Sequence, residues 1–408
     1  MPRSAIITIG NEILLGRTLN TNLAWLASEL AGLGLAVEFS LTVKDEPEAI
    51  RRALQQCWAS CEVVISTGGL GPTADDITKS VIAEFFGAEL EFDQKVWKQV
   101  QSRFAARNLP TPEINRNQAL IPKGFVALSN QRGTAPGLYY SSGNKSFFAF
   151  AGVPLEMKYV FDSHAKRILA GKHGGTPVIQ KTLHTFNISE SALAELLSGF
   201  RFPAEANLAW LPQTGRVDLR FYGSDPEAID KAVAHCLPLL GNHFWGRDED
   251  TPAGTLHGLL RAKGFSVSVA ESCTGGLLQK MLTDPPGASD VFLGGVVAYS
   301  NAAKQRVLKV SPSTLAEHGA VSEESALEMV SGIKDLTESQ TAISVTGVAG
   351  PDGGTIQKPV GTVCYGFSVL HKVWSLTQIF SGDREQIRHK AAEFAILHLI
   401  QNMQGTMI

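Results

Sequence analysis

The stretch "VAESCTGGLLQKM", residues 269–281, sets Glu271, Ser272, Cys273 and Thr274 side by side between an apolar run and a glycine pair. A nucleophile on a sharp strand-to-helix turn stands beside free backbone N–H groups. Those groups can receive the negative charge that develops on a carbonyl oxygen during acyl transfer. The spacing differs from the G-x-S-x-G of a hydrolase elbow, so the chemistry is suggested and not specified. Cysteine is the stronger intrinsic nucleophile at neutral pH, and the residues alone leave both Ser272 and Cys273 open.

A serine needs a base. His257, His318, His371, His389 and His398 lie in helical or polar surroundings with no strand-end motif, which suits packed or solvated roles. "AYSNAAKQRVL" offers an alternative. Tyr299 ends an apolar strand, Asn301 can cap the next helix, and Lys304 falls in its first turn, on the same sheet edge as Ser272 if the two strands are neighbours. A lysine kept neutral by burial or a nearby cation can serve a serine as base. On a helix face, however, a lone lysine is by default solvated. "SVTGVAGPDGG" and Arg384 in "GDREQIR" add glycine N–H groups and a guanidinium fork, which together suit a phosphate monoester. These residues describe a hydrolase or transferase of a phosphorylated small molecule.

A second cluster lies near the start. "STGGLGPTADDITK" leads from an apolar run through Gly68, Gly69 and Gly71 to Asp75 and Asp76, expected in the first turn of a helix. Glycines let backbone N–H groups approach a phosphate, and paired carboxylates can hold a divalent ion that bridges to its oxygens. Simple helix capping explains the same aspartates. In "GNEILLG", Asn11 and Glu12 follow the first strand. Parallel strands would bring both loops to one carboxyl edge, where such folds bind ligands. "RGTAPG" at 132–137 and "GVPLEM" at 152–157 suit the same crevice, or are tight turns.

The elements that must position these residues alternate strand and helix over the first 165 residues or so. "AIITIG" and "CEVVISTGG" read as covered strands, and Leu23, Leu26, Leu30 and Leu33 recur at helical spacing. A loop-like "LAGKHGGTP" at 169–177 opens a small α+β module: strand, the helix "SESALAELLSGF", a hairpin turning at Gln213 to Gly215, and a helix. After the polar linker "GRDEDTPAGTL" the α/β pattern resumes. The expected class is α/β, with two largely parallel domains at 1–168 and 248–408 joined by the module at 169–247.

The 408 residues suit two or three domains, and 44% apolar content fills their cores. A formal charge of −3 without long single-sign blocks argues against a general nucleic-acid binder. Five scattered cysteines form no disulfide framework, and Cys57 and Cys61 read as buried thiols and not as zinc ligands. With no signal-like start and no membrane-length apolar run, a cytoplasmic protein is expected.

In combination, "GNEILLG", "STGGLGPTADDIT", "RGTAPG" and "GVPLEM", followed by "AESCTGG", "AYSNAAK", "TGVAGPDGG" and "KPVGTV", resemble the CinA family along essentially the whole chain. The resemblance implies an amino-terminal molybdopterin-binding-like domain associated with metal-dependent ADP-ribose pyrophosphatase activity. Asp75, Asp76 and Glu12 would bind a divalent metal or activate water, and Gly68, Gly69 and Gly71 would cradle the pyrophosphate, beside Asn11. It also implies a KH-like spacer without RNA function, and a carboxy-terminal amidase converting nicotinamide mononucleotide to nicotinate mononucleotide and ammonia. That amidase would need no cofactor. Carried over by motif, Ser272 is the nucleophile, Lys304 the base and Tyr299 its helper. Thr274, Gly275 and Gly276 polarise the amide carbonyl, while Asn301, Thr346, Gly347, Ala349, Gly350 and Arg384 hold the nucleotide. The motif favours Ser272 over Cys273, and the substrate's pyridinium would discourage protonation of Lys304. Family members imply a homo-oligomer. The alternatives are an amidase fused to a non-catalytic pterin or nucleotide binder, and a competence or DNA-damage regulator. The latter predicts steeply salt-dependent DNA binding, which the charge argues against.

Overall fold

The structure, a computed structural model, describes residues 2–213 and 216–405. The chain divides into two compact units, Met1–Ile179 and Gln180–Ile408.

Unit 1 carries β1 (Arg3–Ile9), β2 (Ala36–Val43), β3 (Val63–Thr67), β4 (Leu90–Phe92), β5 (Leu120–Pro122), β6 (Val126–Leu128), β7 (Gly137–Ser142) and β8 (Lys145–Phe150). Its main sheet has the order β2-β1-β3-β8-β7-β6. The first four of these strands run parallel, β7 pairs antiparallel with β8, and β6 pairs antiparallel with β7. Because successive side chains point to opposite faces, Ile7 joins Ile50, Leu54 and Cys57 of the helix Pro47–Ser60 on one face. Ile6 joins Leu26 and Leu30 of the helix Thr21–Gly32 on the other. Covered on both faces, β3 is buried throughout, which is why it reads as a continuous apolar run. The chain reverses between β1 and β3, and such a switch point leaves a crevice at the carboxyl ends of the strands.

The expected break at residue 168 falls inside a helix, Lys166–His173. Leu169 packs into the core and His173 Nε2 lies 2.9 Å from Ser146 Oγ, so "LAGKH" continues the helix instead of forming a loop.

Unit 2 begins with a four-stranded sheet, order β10-β11-β9-β12, built from β9 (Ile179–Thr185), β10 (Asn207–Gln213), β11 (Arg216–Gly223) and β12 (Phe244–Arg247). The β10–β11 hairpin is present, pairing Gln213 with Arg216. The expected turn at Thr214 and Gly215 lies outside the described residues. The polar stretch expected to be a linker is a structured cap. Asp250 accepts the Arg247 N–H at 2.8 Å, and Thr251 accepts the Gly254 N–H at 3.1 Å to start the helix Pro252–Lys263.

The second sheet of unit 2 contains β13 (Val267–Glu271), β14 (Phe292–Val297), β15 (Thr341–Gly347), β16 (Thr362–Val369) and β17 (Lys372–Ile379), in the order β14-β13-β15-β16-β17. The first three strands are parallel, β16 pairs antiparallel with β15, and β17 pairs antiparallel with β16. Val269 and Ala270 alternate between two core clusters. All five cysteines are free and buried. Among the described residues, no helix is long and apolar enough to cross a membrane.

Candidate functional site

The chain leaves β13 at Glu271, whose fully buried carboxylate accepts the N–H groups of Gly276 (2.9 Å), Leu278 (3.1 Å) and Gln279 (2.9 Å). Three orphan donors at the start of the helix Leu277–Thr283 are thereby satisfied by one anion. The turn between strand and helix requires φ +97° at Gly276, which a residue with a Cβ rarely adopts. This geometry revises the carbonyl pocket expected from the sequence. The Gly276 N–H faces Glu271, and the Gly275 N–H donates to the Ser272 carbonyl at 3.1 Å. Thr274 differs: its side chain is buried and Oγ1 has no hydrogen-bond partner among the described residues.

Ser272 is tied to the neighbouring strand by its N–H, which donates to Val345 O at 2.8 Å. Pairing of β13 with β14 sets Glu271 opposite Val297, so the chain leaving β14 reaches the same edge. Lys304, on the helix Asn301–Leu308, is 1% exposed, and its Nζ lies 2.9 Å from Ser272 Oγ. Nζ also donates to Ala298 O at 2.9 Å and Tyr299 O at 3.5 Å. No carboxylate contacts it within ion-pair distance among the described residues. Burial therefore holds the Lys304 amine below the ordinary lysine pKa. The same desolvation pushes the Cys273 thiol up to about 12, so it remains a poor nucleophile at working pH.

The other expected residues gather around this pair unevenly. Tyr299 is 60% exposed, and its hydroxyl accepts from Arg384 at 3.0 Å; only its carbonyl faces Lys304. Arg384 also donates to Gly350 O at 2.6 Å, joining the loop after β15 to Tyr299. Thr346 is buried and donates to Ala320 O at 2.7 Å, while Gly347 ends β15 and Ala349 is buried beside Gly350. Asn301 is exposed and does not cap its helix: Ser300 Oγ accepts the Ala303 N–H at 3.1 Å in that role, since it is the residue with extended backbone before the first turn. Sequence reasoning missed Arg388, which donates to Thr274 O at 2.7 Å. Its spacing of four residues from Arg384 on one helix was the available signal.

In unit 1, the loops after β1 and β3 meet at the carboxyl edge as expected. Gly68 has φ +114°, and a Cβ there would stand 2.1 Å from Ile9 O, so the two loops touch only because this residue is glycine. Gly69 presses likewise on Thr78 Oγ1. The aspartates, however, precede the helix, which starts at Thr78. Asp76 instead closes a turn, its carboxylate accepting from Thr73 N at 3.0 Å and lying over Gly71. Asp75 is exposed, and its carboxyl is lowered by the Thr73 hydroxyl. The exposed Glu12 carboxylate folds over Gly10, and the Asn11 N–H donates to Asp45 at 3.0 Å.

Asp45 was missed by sequence reasoning, although "VKDEP" follows a parallel strand ending on this edge. Its carboxyl is raised, by burial first and then by the nearby charges of Glu12 and Asp76. Lys79, one residue beyond Thr78, was missed too: it is buried, and desolvation lowers it to about 8. Among the described residues, no three His, Cys, Asp or Glu side chains are arranged to hold a metal ion. Glu12, Asp75 and Asp76 thus do not form a ready ligand set for a divalent ion.

A family model described as a probable molybdopterin binding domain matches residues 5–171, and the CinA C-terminal domain matches residues 249–403. A CinA-like protein from a Synechocystis species is 39% identical over 98% of this chain and 99% of its own. A putative competence-damage inducible protein from Caldicellulosiruptor bescii is 38% identical, covering 96% of this chain and 97% of its own. The solved structure of a CinA protein from Thermoplasma acidophilum is 34% identical and covers 41% of this chain and 98% of that one, with a TM-score of 0.38. With near full-length relatives and both of its characteristic domains in order, this chain belongs to the CinA family.

Proposed function

We propose that unit 2 is an amidohydrolase that removes the carboxamide nitrogen of nicotinamide mononucleotide. The observation that carries this reading is the 2.9 Å contact between Ser272 Oγ and the buried Lys304 amine. A neutral amine has two N–H bonds and one lone pair. The carbonyls of Ala298 and Tyr299 take the N–H bonds, leaving the lone pair for the serine proton.

Ser272 Oγ bonds to the carboxamide carbon as its proton passes to Lys304, and the carbonyl electron pair moves onto oxygen. Thr274 Oγ1 is the buried hydroxyl free to donate to that oxyanion. Re-forming the carbonyl expels the nitrogen, which takes the proton from Lys304 and leaves as ammonia. Water, deprotonated by Lys304, then attacks the ester, and Ser272 departs with the returned proton. Arg384 retains N–H donors beyond those given to Gly350 and Tyr299, and these suit the nucleotide phosphate.

Ammonia release from nicotinamide mononucleotide tests the assignment. Ser272→Ala and Lys304→Ala should each lose about a thousandfold or more of the rate, whereas Cys273→Ala keeps most of it. Retained turnover in the serine variant, or full loss in a folded cysteine variant, sinks the assignment.

For unit 1 we propose binding of a pyrophosphate-bridged nucleotide, ADP-ribose, at the β1–β3 crevice, and its hydrolysis there. The close glycine approach at Gly68 and the carboxylates of Glu12, Asp45 and Asp76 on one edge support this reading.

A further inference from the structure

Unit 2 holds a concavity that none of the roles above uses. It opens between the start of the helix Pro252–Lys263, the end of the helix Leu277–Thr283 with the turn after it, and the middle of the final helix, Arg384–Gly405. Its volume is about 420 Å³, within the roughly 300–1,000 Å³ common for small-molecule sites. No residue assigned to the Ser272–Lys304 site lines it. On the final helix its Ile396 lies roughly 18 Å along the axis from Arg384, at about 1.5 Å per residue. We propose that this pocket binds a small molecule carrying an ammonium group on an apolar body.

The lining is the first argument. Pro252, Ala253, Met281, Pro285, Pro286 and Ile396 make it predominantly apolar, and a ligand with an apolar body removes that surface from water. Two carboxylates, Asp284 and Glu393, complete the wall with Thr251, and no Lys, Arg or His lines it among the described residues. Each carboxylate holds one cation through a single oxygen. Asp284 Oδ2 accepts from Lys280 at 2.8 Å, and Glu393 Oε1 from Arg216 at 2.7 Å. The other oxygens, Asp284 Oδ1 and Glu393 Oε2, accept no hydrogen bond among the described residues. Burial raises the Glu393 carboxyl from its ordinary value, and an ammonium beside it offsets that penalty. An anion would meet two negative groups here, whereas an ammonium brings three N–H donors to the open oxygens.

Preorganisation is the second argument. Pro252, Pro285 and Pro286 fix their own φ, and the elements that carry the wall are tied down. Thr251 Oγ1 accepts the Gly254 N–H at 3.1 Å and so caps the helix that Pro252 begins. Arg261 of that helix donates to Gly287 O at 2.7 Å and meets Asp290 at 3.2 Å, which holds the turn after Pro286. Glu393 is held by Arg216, whose guanidinium also sits 5.2 Å over the Trp245 ring. A ligand therefore meets a wall that is ordered in advance of binding. Half-buried Met281, with its flexible thioether, adapts the remaining shape.

Ligand-observed NMR titration of the full chain with phenylpropylammonium tests the site, beside two probes of the same shape, uncharged phenylpropanol and anionic phenylpropanoate. Wild type should bind the ammonium with millimolar or tighter affinity, the alcohol at least about fivefold more weakly, and the carboxylate more weakly still. Glu393→Gln and Asp284→Asn should each weaken the ammonium by about threefold or more and leave the alcohol unchanged. Met281→Trp fills the pocket and should remove binding of ammonium and alcohol alike. Thermal melting of each variant establishes that it is folded. Ammonium binding that is unchanged in a folded Met281→Trp protein or in both carboxylate variants would overturn the proposal. So would binding no tighter than that of the alcohol, or none in wild type at about ten millimolar probe. The Ser272→Ala variant should titrate like wild type, so failure here is distinct from failure of the amidase reading.

Discussion

In the proposed chemistry, Lys304 serves as a base at a cost to the fold. Burial disfavours its charged form, so its pKa in the folded chain is depressed below that of the unfolded chain. Below the folded value the protein carries the full penalty of a buried ammonium. As pH rises through that value towards about 10.5, the unfolded chain binds more protons than the folded one and stability increases. Lys304→Met should therefore be inactive, and its stability relative to wild type should be most favourable near pH 6 and decline towards pH 10 or so. Paired denaturant melts at the two pH values check this, and a constant difference would contradict it. Cys273, pushed up to about 12, titrates above that window. The rate of ammonia release should rise with pH on the same lysine limb.

At the scale of elements, Glu271 matters more than its neighbours in the sequence suggest. A buried carboxylate that satisfies three N–H groups fixes the helix Leu277–Thr283 and so the direction in which Ser272 points. Glu271→Ala should cost about 2–4 kcal/mol by denaturant unfolding, because three buried or part-buried donors lose their partner together. Glu271→Gln should cost less, retaining one acceptor oxygen. A loss below about 0.5 kcal/mol for alanine would remove this role. A second tie joins elements distant in sequence: Arg216 on β11 meets Glu393 on the final helix at 2.7 Å, the same helix that carries Arg384 and Arg388 to the site. The strands around these features were legible because both faces are covered, which gives plain apolar runs. The start of the helix at Thr78 was not legible, since a turn closed by Thr73 and Asp76 uses the same residue types as a helix cap.

For the whole molecule, the two proposed chemistries draw on different residues in different units and should separate cleanly. Ser272→Ala should leave ADP-ribose turnover in the presence of a divalent ion unchanged, and Asp76→Asn should leave ammonia release unchanged. Both rates are measured on the full chain with and without added ion. An absence of ADP-ribose turnover with every ion, with binding intact, would make unit 1 a nucleotide binder. The sequence by itself determined the α/β class, the family, and the motifs that bring Ser272, Lys304 and Arg384 to strand ends, because periodicity and local spacing are properties of neighbouring residues. Only the tertiary structure decided that Lys304 is buried against Ser272, that the Gly276 N–H serves Glu271, and that Asp45 accepts the Asn11 N–H in the field of Glu12 and Asp76. Burial, hydrogen-bond partners and the local field depend on which distant segments the sheet order places side by side, and no local pattern encodes that.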